Sequence, residues 1–331
     1  MDKGDSFMKR KIIPAIAASA VTLYGYSHLI EKRSFSSFSI EKLFKLNRFL
    51  GKNSSVEDKI YDALNKSAEQ MRFPMQPPKK YVSNDVYDFY SNDMQVFCWN
   101  DKKSASQKVI FYIHGGGYVS APLSFHYKMV ENISRKTDAK VIFPIYDRLP
   151  FANYKDVYPK MINLYTEILK TVNSAQQVTI MGDSAGGGLA LGLALLCKEK
   201  EISQPKNIVL LSPWLDISNS NPKLQNIINL DPTLDVSQLN YFGRKWSDND
   251  LNNHLVSPKN GNPEDLGNLT IFTGLHEIFY PDVLEYHEKL QKLNIKHNLI
   301  VEPRMNHVYV AYPIPEAKKA QKMIATIIKD S

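Results

Sequence analysis

The stretch QVTIMGDSAGGGLALGLALLCK, residues 177–198, decides how this chain folds. Gln177 to Met181 has the composition of a buried strand, and Ala185 to Lys198 has that of a helix. Between them lies Gly182-Asp183-Ser184-Ala185-Gly186, which has the form G-x-S-x-G. On a sharp strand-to-helix turn, this pattern exposes the central hydroxyl beyond the carboxyl end of the strand. Ser184 is therefore the candidate nucleophile, and Asp183 is expected to be a structural member of the turn.

Short apolar runs continue along the rest of the chain and alternate with helical patterns. Continuous apolar strands separated by helices indicate an α/β fold with a mainly parallel sheet covered on both faces. Ligands bind such sheets beyond the carboxyl ends of the strands, so residues that directly follow strands are the candidates for a site. The predicted strands are 96–99, 109–113, 141–146, 178–181, 208–211, 269–273 and 299–301, and predicted helices include 158–172, 185–198 and 282–293.

A second motif, HGGG at residues 114–117, follows the predicted strand 109–113. Acyl transfer through a serine creates an oxyanion, which backbone N–H groups must stabilise. A glycine run lets the chain turn its amides into a site with no Cβ in the way. A phosphate-cradling loop is the competing interpretation, but no G-K-[ST] sequence follows. The expected oxyanion hole comprises the amides of Gly115, Gly116, Gly117 and Ala185.

A serine nucleophile needs a general base, and the chain order expected for this architecture is serine, acid, histidine. The sequence contains eight histidines. His307 follows the last predicted strand and precedes a C-terminal helical pattern. His297 lies at the opposite end of that strand, and His287 lies within a helical pattern. His307 is therefore the predicted base.

Two carboxylates follow the predicted strand 269–273. Glu277 lies in the loop, three residues after Gly274. Asp282 follows Pro281 at a predicted helix start, where an acidic residue is common because of the helix dipole alone. The loop position is the one that an imidazole can reach. Glu277 is therefore favoured as the triad acid, with Asp282 as the alternative.

Together these motifs resemble the hormone-sensitive-lipase-like branch of the α/β-hydrolases, a group of bacterial esterases and carboxylesterases. The resemblance extends from about Tyr81 to the C-terminus. It implies a Ser184 nucleophile, a His307 base and an acid at Glu277, although this family more often has Asp as the acid. The matching segments are HGGG at 114–117, GDSAGG at 182–187, SPWLD at 212–216, DPTLD at 231–235, residues 274–282 and MNH at 305–307.

The resemblance also implies a lid and a catalytic domain that covers residues 81–331. The lid would consist of the N-terminal helical segment 34–80 and an insertion around 216–256. A capped apolar pocket favours small to medium uncharged esters as substrates. Acyl transfer through a serine is expected to require no metal or organic cofactor. The substrate-binding residues are not assigned by the sequence, because each aromatic candidate also fits an ordinary core position. These candidates are Phe125, Tyr127, Trp214, Tyr241, Phe242 and Trp246.

Two other functions fit the same fold. An amidase or peptidase would use the same nucleophile, base and acid, so the motifs do not separate it from an esterase. A non-catalytic ligand-binding relative would tend to lack one of the catalytic residues. Because serine, histidine and an acid are all present, the sequence favours a serine esterase.

Residues 1–33 form a region of their own. Lys9-Arg10-Lys11 precedes Ile12 to Ile30, nineteen residues without a charged side chain, and Glu31-Lys32-Arg33 follows. Basic flanks around an apolar stretch are typical of a signal anchor, and Ala18-Ser19-Ala20 has the form of a signal cleavage site. The polar side chains inside the stretch equally fit a helix packed on the domain. The sequence thus leaves open membrane association through residues 12–30, a cleaved signal and a cytoplasmic protein.

Composition excludes several classes of protein. Hydrophobic residues make up 43% of the 331, which excludes wholesale disorder, and two cysteines exclude a disulfide scaffold and a four-thiolate zinc site. The net charge is +7, but basic residues are dispersed beside acidic ones with no aromatic-lined basic stripe. Outside residues 1–33 the net charge is +4. The expected partner is a small-molecule ester and not a nucleic acid; the oligomeric state is not predicted.

Overall fold

The computed structural model describes residues 21–50, 54–82 and 85–330. Within these residues, eight strands form one sheet in the order β1-β2-β4-β3-β5-β6-β7-β8. β2 pairs antiparallel with β1 and β4, and the other neighbours pair parallel. This confirms the predicted α/β fold. The strands are β1 (Tyr87–Ser91), β2 (Met94–Trp99), β3 (Val109–Ile113), β4 (Lys140–Ile145), β5 (Val178–Asp183), β6 (Asn207–Leu211), β7 (Asn268–His276) and β8 (His297–Asn306).

Helices cover both faces of the sheet. Helices α3 and α8 pack on one face, and α4, α5 and α7 pack on the other. Because β2, β3, β5 and β6 are buried along their whole length, their sequences are mainly apolar and do not alternate between apolar and polar residues. The helices are α1 (Phe35–Leu50), α2 (Val56–Gln70), α3 (Ser124–Thr137), α4 (Tyr154–Lys170), α5 (Ser184–Glu199), α6 (Val236–Trp246), α7 (Tyr280–Lys292) and α8 (Pro315–Lys329).

Strand β1 is not predicted from the sequence. It is an edge strand, and exposure alternates along Tyr87–Ser91. Its sequence YDFYS therefore lacks the continuous apolar character that identifies the central strands. Its single neighbour is β2, to which a short turn joins it.

The helical N-terminal segment packs near the carboxyl end of β7, where Glu41 of α1 lies 3.4 Å from His276 Nδ1. Residues 21–25 are helical, Tyr26–Ile30 forms a π-helical turn, and α1 and α2 follow. Over the described ranges, no helix has both the length and the apolar character needed to cross a bilayer. Residues 12–20, on which most of the membrane-anchor prediction rests, lie outside the described part of the chain.

Candidate active site

Ser184 stands at the junction of β5 and α5, where the chain turns sharply. Its φ is +54°, a left-handed conformation that costs a residue with a side chain some strain. The flanking glycines make the turn sterically feasible. A Cβ at Gly182 would lie 2.3 Å from the carbonyl oxygen of Gly186, and one at Gly186 would lie 2.1 Å from that of Ile113. The turn thus places the serine in the wall of a cavity.

His307 and Glu277 complete a hydrogen-bonded chain with this serine. His307 follows β8 directly, and its Nε2 lies 2.8 Å from Ser184 Oγ. Its Nδ1 lies 2.8 Å from Oε2 of Glu277, which is wholly buried. Oε1 of Glu277 accepts hydrogen bonds from the Thr273 hydroxyl and from the N–H of Gly274. The structure therefore brings together the three residues that chain order selects.

The environment of His307 favours the charged imidazolium. Burial by itself lowers the pKa of this histidine. The hydrogen bond and negative charge of Glu277, with smaller contributions from Asp231 and Asp183, outweigh burial, so the pKa of His307 is raised above its ordinary value. A raised pKa makes the imidazole a stronger base and stabilises the cation that forms when it accepts a proton.

Asp282, the alternative acid, lies in a different cluster. Its Oδ1 accepts hydrogen bonds from Asn221 Nδ2 at 3.1 Å and from Lys259 Nζ at 3.0 Å. Lys259 also pairs with Asp216 at 2.9 Å. Asp282 lies in the first turn of helix α7 and takes part in this salt-bridge cluster, while the imidazole of His307 is hydrogen-bonded to Glu277. The structure thus contradicts Asp282 as the acid.

The glycine loop after β3 requires one correction. The N–H of Gly115 donates to Oδ1 of Asp183 at 2.8 Å, so it is not available to an oxyanion. The prediction that Gly115 is an oxyanion donor is therefore wrong. Gly116 and Gly117 have φ values of +120° and +62° and line the cavity beside Ser184. Their amides and that of Ala185, in the first turn of α5, remain the candidate donors.

Asp183 connects the glycine loop to the turn that holds Ser184. Besides Gly115, Oδ1 accepts a hydrogen bond from Tyr112 Oη at 2.5 Å. Oδ2 lies 3.2 Å from His126 Nε2. Because His126 Nδ1 accepts a hydrogen bond from the N–H of Leu123 at 2.8 Å, the Nε2 of His126 carries the ring proton and donates a hydrogen bond to Asp183. Burial opposes ionisation of Asp183, but His126 and the hydrogen bonds outweigh it, and the pKa of this carboxyl is lowered.

The contact between Gly115 and Asp183 gives a first testable prediction. A Cβ on Gly115 would lie 2.3 Å from Asp183 Oδ2 and 2.9 Å from Ser184 Cβ, so Gly115→Ala must displace the loop. Losing an aligned oxyanion donor costs about 100-fold or more in kcat. We expect a loss of that size in ester turnover. Gly25→Ala is the control, since a Cβ there meets nothing within 4 Å. Wild-type turnover by Gly115→Ala would show that this contact does not position the loop.

Three further residues hold the histidine and acid loops in place. The hydroxyl of Ser212 accepts the N–H of Val308 at 2.9 Å. The phenol of Tyr312 donates to the carbonyl of His307 at 2.6 Å. Asp231 Oδ2 accepts the N–H of Ile278, the residue after Glu277, at 3.1 Å. In the sequence, Ser212 and Asp231 stand out only as parts of matching motifs, and no motif marks Tyr312.

Ser184 and His307 open onto a cavity of about 560 Å³. Of the six aromatic candidates, Phe125 and Phe242 line it. Trp214 and Trp246 instead stack on Tyr118 in the core, Tyr127 is buried among other aromatic rings, and Tyr241 lines a separate cavity. The walls that the sequence does not predict include Phe44 of α1, Ala63 of α2 and Tyr312.

Comparison with known proteins gives concordant results. The sequence profile of a protein family with the alpha/beta hydrolase fold matches residues 110–311. An esterase of Acinetobacter venetianus is 25% identical over 67% of this chain and 75% of its own length. An acetyl-hydrolase of Streptomyces hygroscopicus is 24% identical over the same shares. A solved structure of a candidate esterase from Staphylococcus aureus has a TM-score of 0.79 at 27% identity, over 85% of this chain and 97% of that one.

Proposed function

Because the chain belongs to the α/β-hydrolase family, we propose that it is a serine esterase that cleaves carboxylic esters through an acyl-enzyme. Because its relatives include an esterase and an acetyl-hydrolase, the chain is an ester-hydrolysing enzyme. The observation that carries the mechanism is the hydrogen-bonded chain from Ser184 through His307 to Glu277, with 2.8 Å between partners at each step.

The first half-reaction forms the acyl-enzyme. Nε2 of His307 takes the proton of Ser184 Oγ, which attacks the ester carbonyl carbon. The carbonyl electrons move to its oxygen, and the amides of Gly116, Gly117 and Ala185 donate hydrogen bonds to the resulting anion. Glu277 accepts a hydrogen bond from the Nδ1–H of His307 and stabilises the imidazolium by its negative charge. When the tetrahedral intermediate collapses, the alcohol leaves with the proton from Nε2.

The second half-reaction releases the acid. A water molecule replaces the alcohol and transfers a proton to His307 Nε2 as its oxygen attacks the acyl carbon. The same amides stabilise the second oxyanion, and the proton returns to Ser184 Oγ as the acyl bond breaks. In each half-reaction, His307 thus takes up one proton and then donates it to the leaving oxygen.

The cavity walls support small to medium uncharged acyl esters as substrates. Helices α1, α2 and α6 contribute Phe44, Ala63, Leu239 and Phe242, and we propose that they form the cap over the nucleophile. Apolar walls favour an apolar acyl group because its transfer from water is favourable. A volume of about 560 Å³ accommodates a small molecule and not a polymer chain.

An acyl-length series tests this proposal. Each methylene buried in an apolar pocket contributes about 0.8 kcal/mol, so kcat/KM should rise roughly fourfold per methylene until the cavity is full. We expect this rise within p-nitrophenyl esters from acetyl to octanoyl, and a decline for longer chains. Matched p-nitroanilides should be poorer substrates at every length. Equal turnover of esters and anilides would instead indicate an amidase, and binding without turnover would indicate a ligand-binding protein.

A further inference from the structure

Helix α1 turns an apolar face to solvent. Leu43, Leu46 and Leu50 recur at spacings of three and four residues, so they lie on one side of the helix. They are 53%, 52% and 65% exposed, respectively. We call these three residues the leucine face. A helix on the surface of a globular protein ordinarily buries such a stripe and exposes its charged side.

The opposite side of α1 makes the polar contacts with the protein. Glu41 is only 2% exposed, pairs with Arg33 and Lys45, and lies 3.4 Å from His276 Nδ1. Arg48 donates to the carbonyl oxygen of Asp231. The orientation of α1 is therefore fixed by hydrogen bonds and ion pairs, with the leucine face outward. Exposed apolar patches of this kind mark interaction surfaces.

The segment that precedes α1 extends the apolar surface. Val21, Leu29 and Ile30 are 71%, 77% and 64% exposed. This segment contacts α1 through the rings of Tyr26 and Phe38, whose centroids are 6.1 Å apart. The exposed apolar surface therefore includes both the leucine face and residues of the preceding turn.

The described part of this region also has an excess of basic residues. Residues 21–50 contain five Lys or Arg and two Asp or Glu, which is a net charge of +3. Both acidic side chains, Glu31 and Glu41, are buried and paired with Arg33. Lys32 and Lys42 are exposed. Apolar side chains together with an excess of basic ones favour a bilayer with anionic headgroups.

We propose that α1 docks the protein on an anionic phospholipid bilayer, with the leucine face at the boundary between headgroups and acyl chains. The helix lies in the plane of the bilayer, which distinguishes this mode of binding from a membrane-spanning anchor over residues 12–30. Phe44, on another side of α1, lines the cavity that holds Ser184. One helix diameter, about 10 Å, therefore separates the bilayer from the cavity wall.

This position has a consequence for substrate supply, which rests on the proposed esterase function. Apolar esters partition into bilayers, and docking through α1 brings the cavity next to that reservoir. The substrate class would then be uncharged esters dissolved in the lipid phase. The docking itself needs no catalysis and is tested separately.

Vesicle sedimentation of the full-length Ser184→Ala protein tests docking without hydrolysis. We expect it to sediment with vesicles of equal parts phosphatidylglycerol and phosphatidylcholine, and much less with phosphatidylcholine alone. High salt should weaken the binding because it screens the basic residues. The further changes Leu43→Gln, Leu46→Gln and Leu50→Gln, made together, should lower the partition coefficient about tenfold or more. Glutamine preserves helix propensity.

Three exposed apolar residues elsewhere provide the matched control. Phe73, Tyr90 and Leu293 are 79%, 55% and 44% exposed, and their joint replacement by glutamine should leave vesicle binding unchanged. In a Ser184 background, both triple variants should hydrolyse a short soluble ester at the wild-type rate, which shows that each folds. Two results would overturn the proposal: unchanged vesicle binding by the leucine-face variant, or a lipid-free dimer that this variant converts to monomers. Failure of ester hydrolysis would leave the binding result unaffected.

Discussion

Replacing Ser184 by alanine should lower kcat for ester hydrolysis by about 10⁴- to 10⁶-fold, the range found when a triad nucleophile is removed. The change deletes the oxygen that His307 Nε2 approaches to 2.8 Å and leaves the imidazole only water to activate. Residual turnover would come from substrate binding and the oxyanion donors. Alanine at φ +54° is no larger than serine, so the turn between β5 and α5 should persist. A fluorophosphonate probe should no longer label the protein.

Ser120 provides the matched control because it lines the same cavity. Ser120→Ala should hydrolyse esters within a few-fold of the wild-type rate and should keep full labelling by the probe. Unfolding temperatures of both variants should match that of the wild type, since neither change removes buried apolar surface. Full labelling of Ser184→Ala would refute the assignment of the nucleophile.

The elements of the fold that can be predicted from local sequence are those whose pattern of apolar residues matches their burial in the structure. β5 is covered on both faces, so its sequence is mainly apolar and does not alternate. The helix after it is mainly apolar because it is buried almost along its whole length. Parallel strands end at one edge of the sheet. Side chains that directly follow strands, such as Ser184 and His307, therefore converge there even though 123 residues separate them.

The free backbone amides of the glycine loop could not be predicted from the sequence. The motif predicts that backbone amides turn into the site, but it does not show which amide is already bonded. The N–H of Gly115 is taken by Asp183 because that side chain points back toward β3. The orientation of Asp183 depends in turn on Tyr112 and His126, which no local pattern connects to it. Residues that act through tertiary hydrogen bonds require the structure.

The cavity walls are a second example. Aromatic residues near the motifs are equally suited to core and pocket, and only packing separates Phe242 in the wall from Trp246 in the core. Phe44 belongs to a helix far from every motif, and the structure brings it to within 5.5 Å of Tyr312, measured between ring centroids. The residues of α1 that face solvent include Leu43, Leu46 and Leu50. From the amphipathic pattern alone, these leucines would be expected to face the core.

Replacing Glu277 by glutamine should lower kcat by about 10⁴-fold while leaving the fold intact. Oε1 of glutamine can still accept from Thr273 and Gly274, but its NH₂ group then faces Nδ1 of His307. Nδ1 must accept that hydrogen bond, so the ring proton moves to Nε2. Nε2 then cannot take the proton of Ser184. The loss follows from the wrong tautomer and from the missing charge that stabilises the imidazolium.

The pH profile separates this role from simple damage to the site. Catalysis needs neutral His307, so activity rises as pH increases through the pKa of that histidine. Glu277 raises that pKa against the effect of burial. Without the carboxylate, the rising limb of kcat/KM in Glu277→Gln should move to lower pH, below the limb of the wild type. A change that only loosened the loop and kept Glu277 would lower the plateau without this shift, because the carboxylate would stay beside the ring.

Asp282→Asn is the matched control, because it neutralises the other carboxylate that the sequence offers. Asp282 bonds to Lys259 and Asn221, so its loss should weaken a salt-bridge cluster without changing the tautomer of His307. We expect kcat within a few-fold of wild type and an unmoved rising limb, with a lower unfolding temperature because Lys259 loses a partner. A large loss of kcat in Asp282→Asn, with near-normal turnover in Glu277→Gln, would show that Asp282 and not Glu277 is the triad acid. Glu277 is hydrogen-bonded to the imidazole and Asp282 to a lysine, so the two variants together test whether contact with the imidazole identifies the acid.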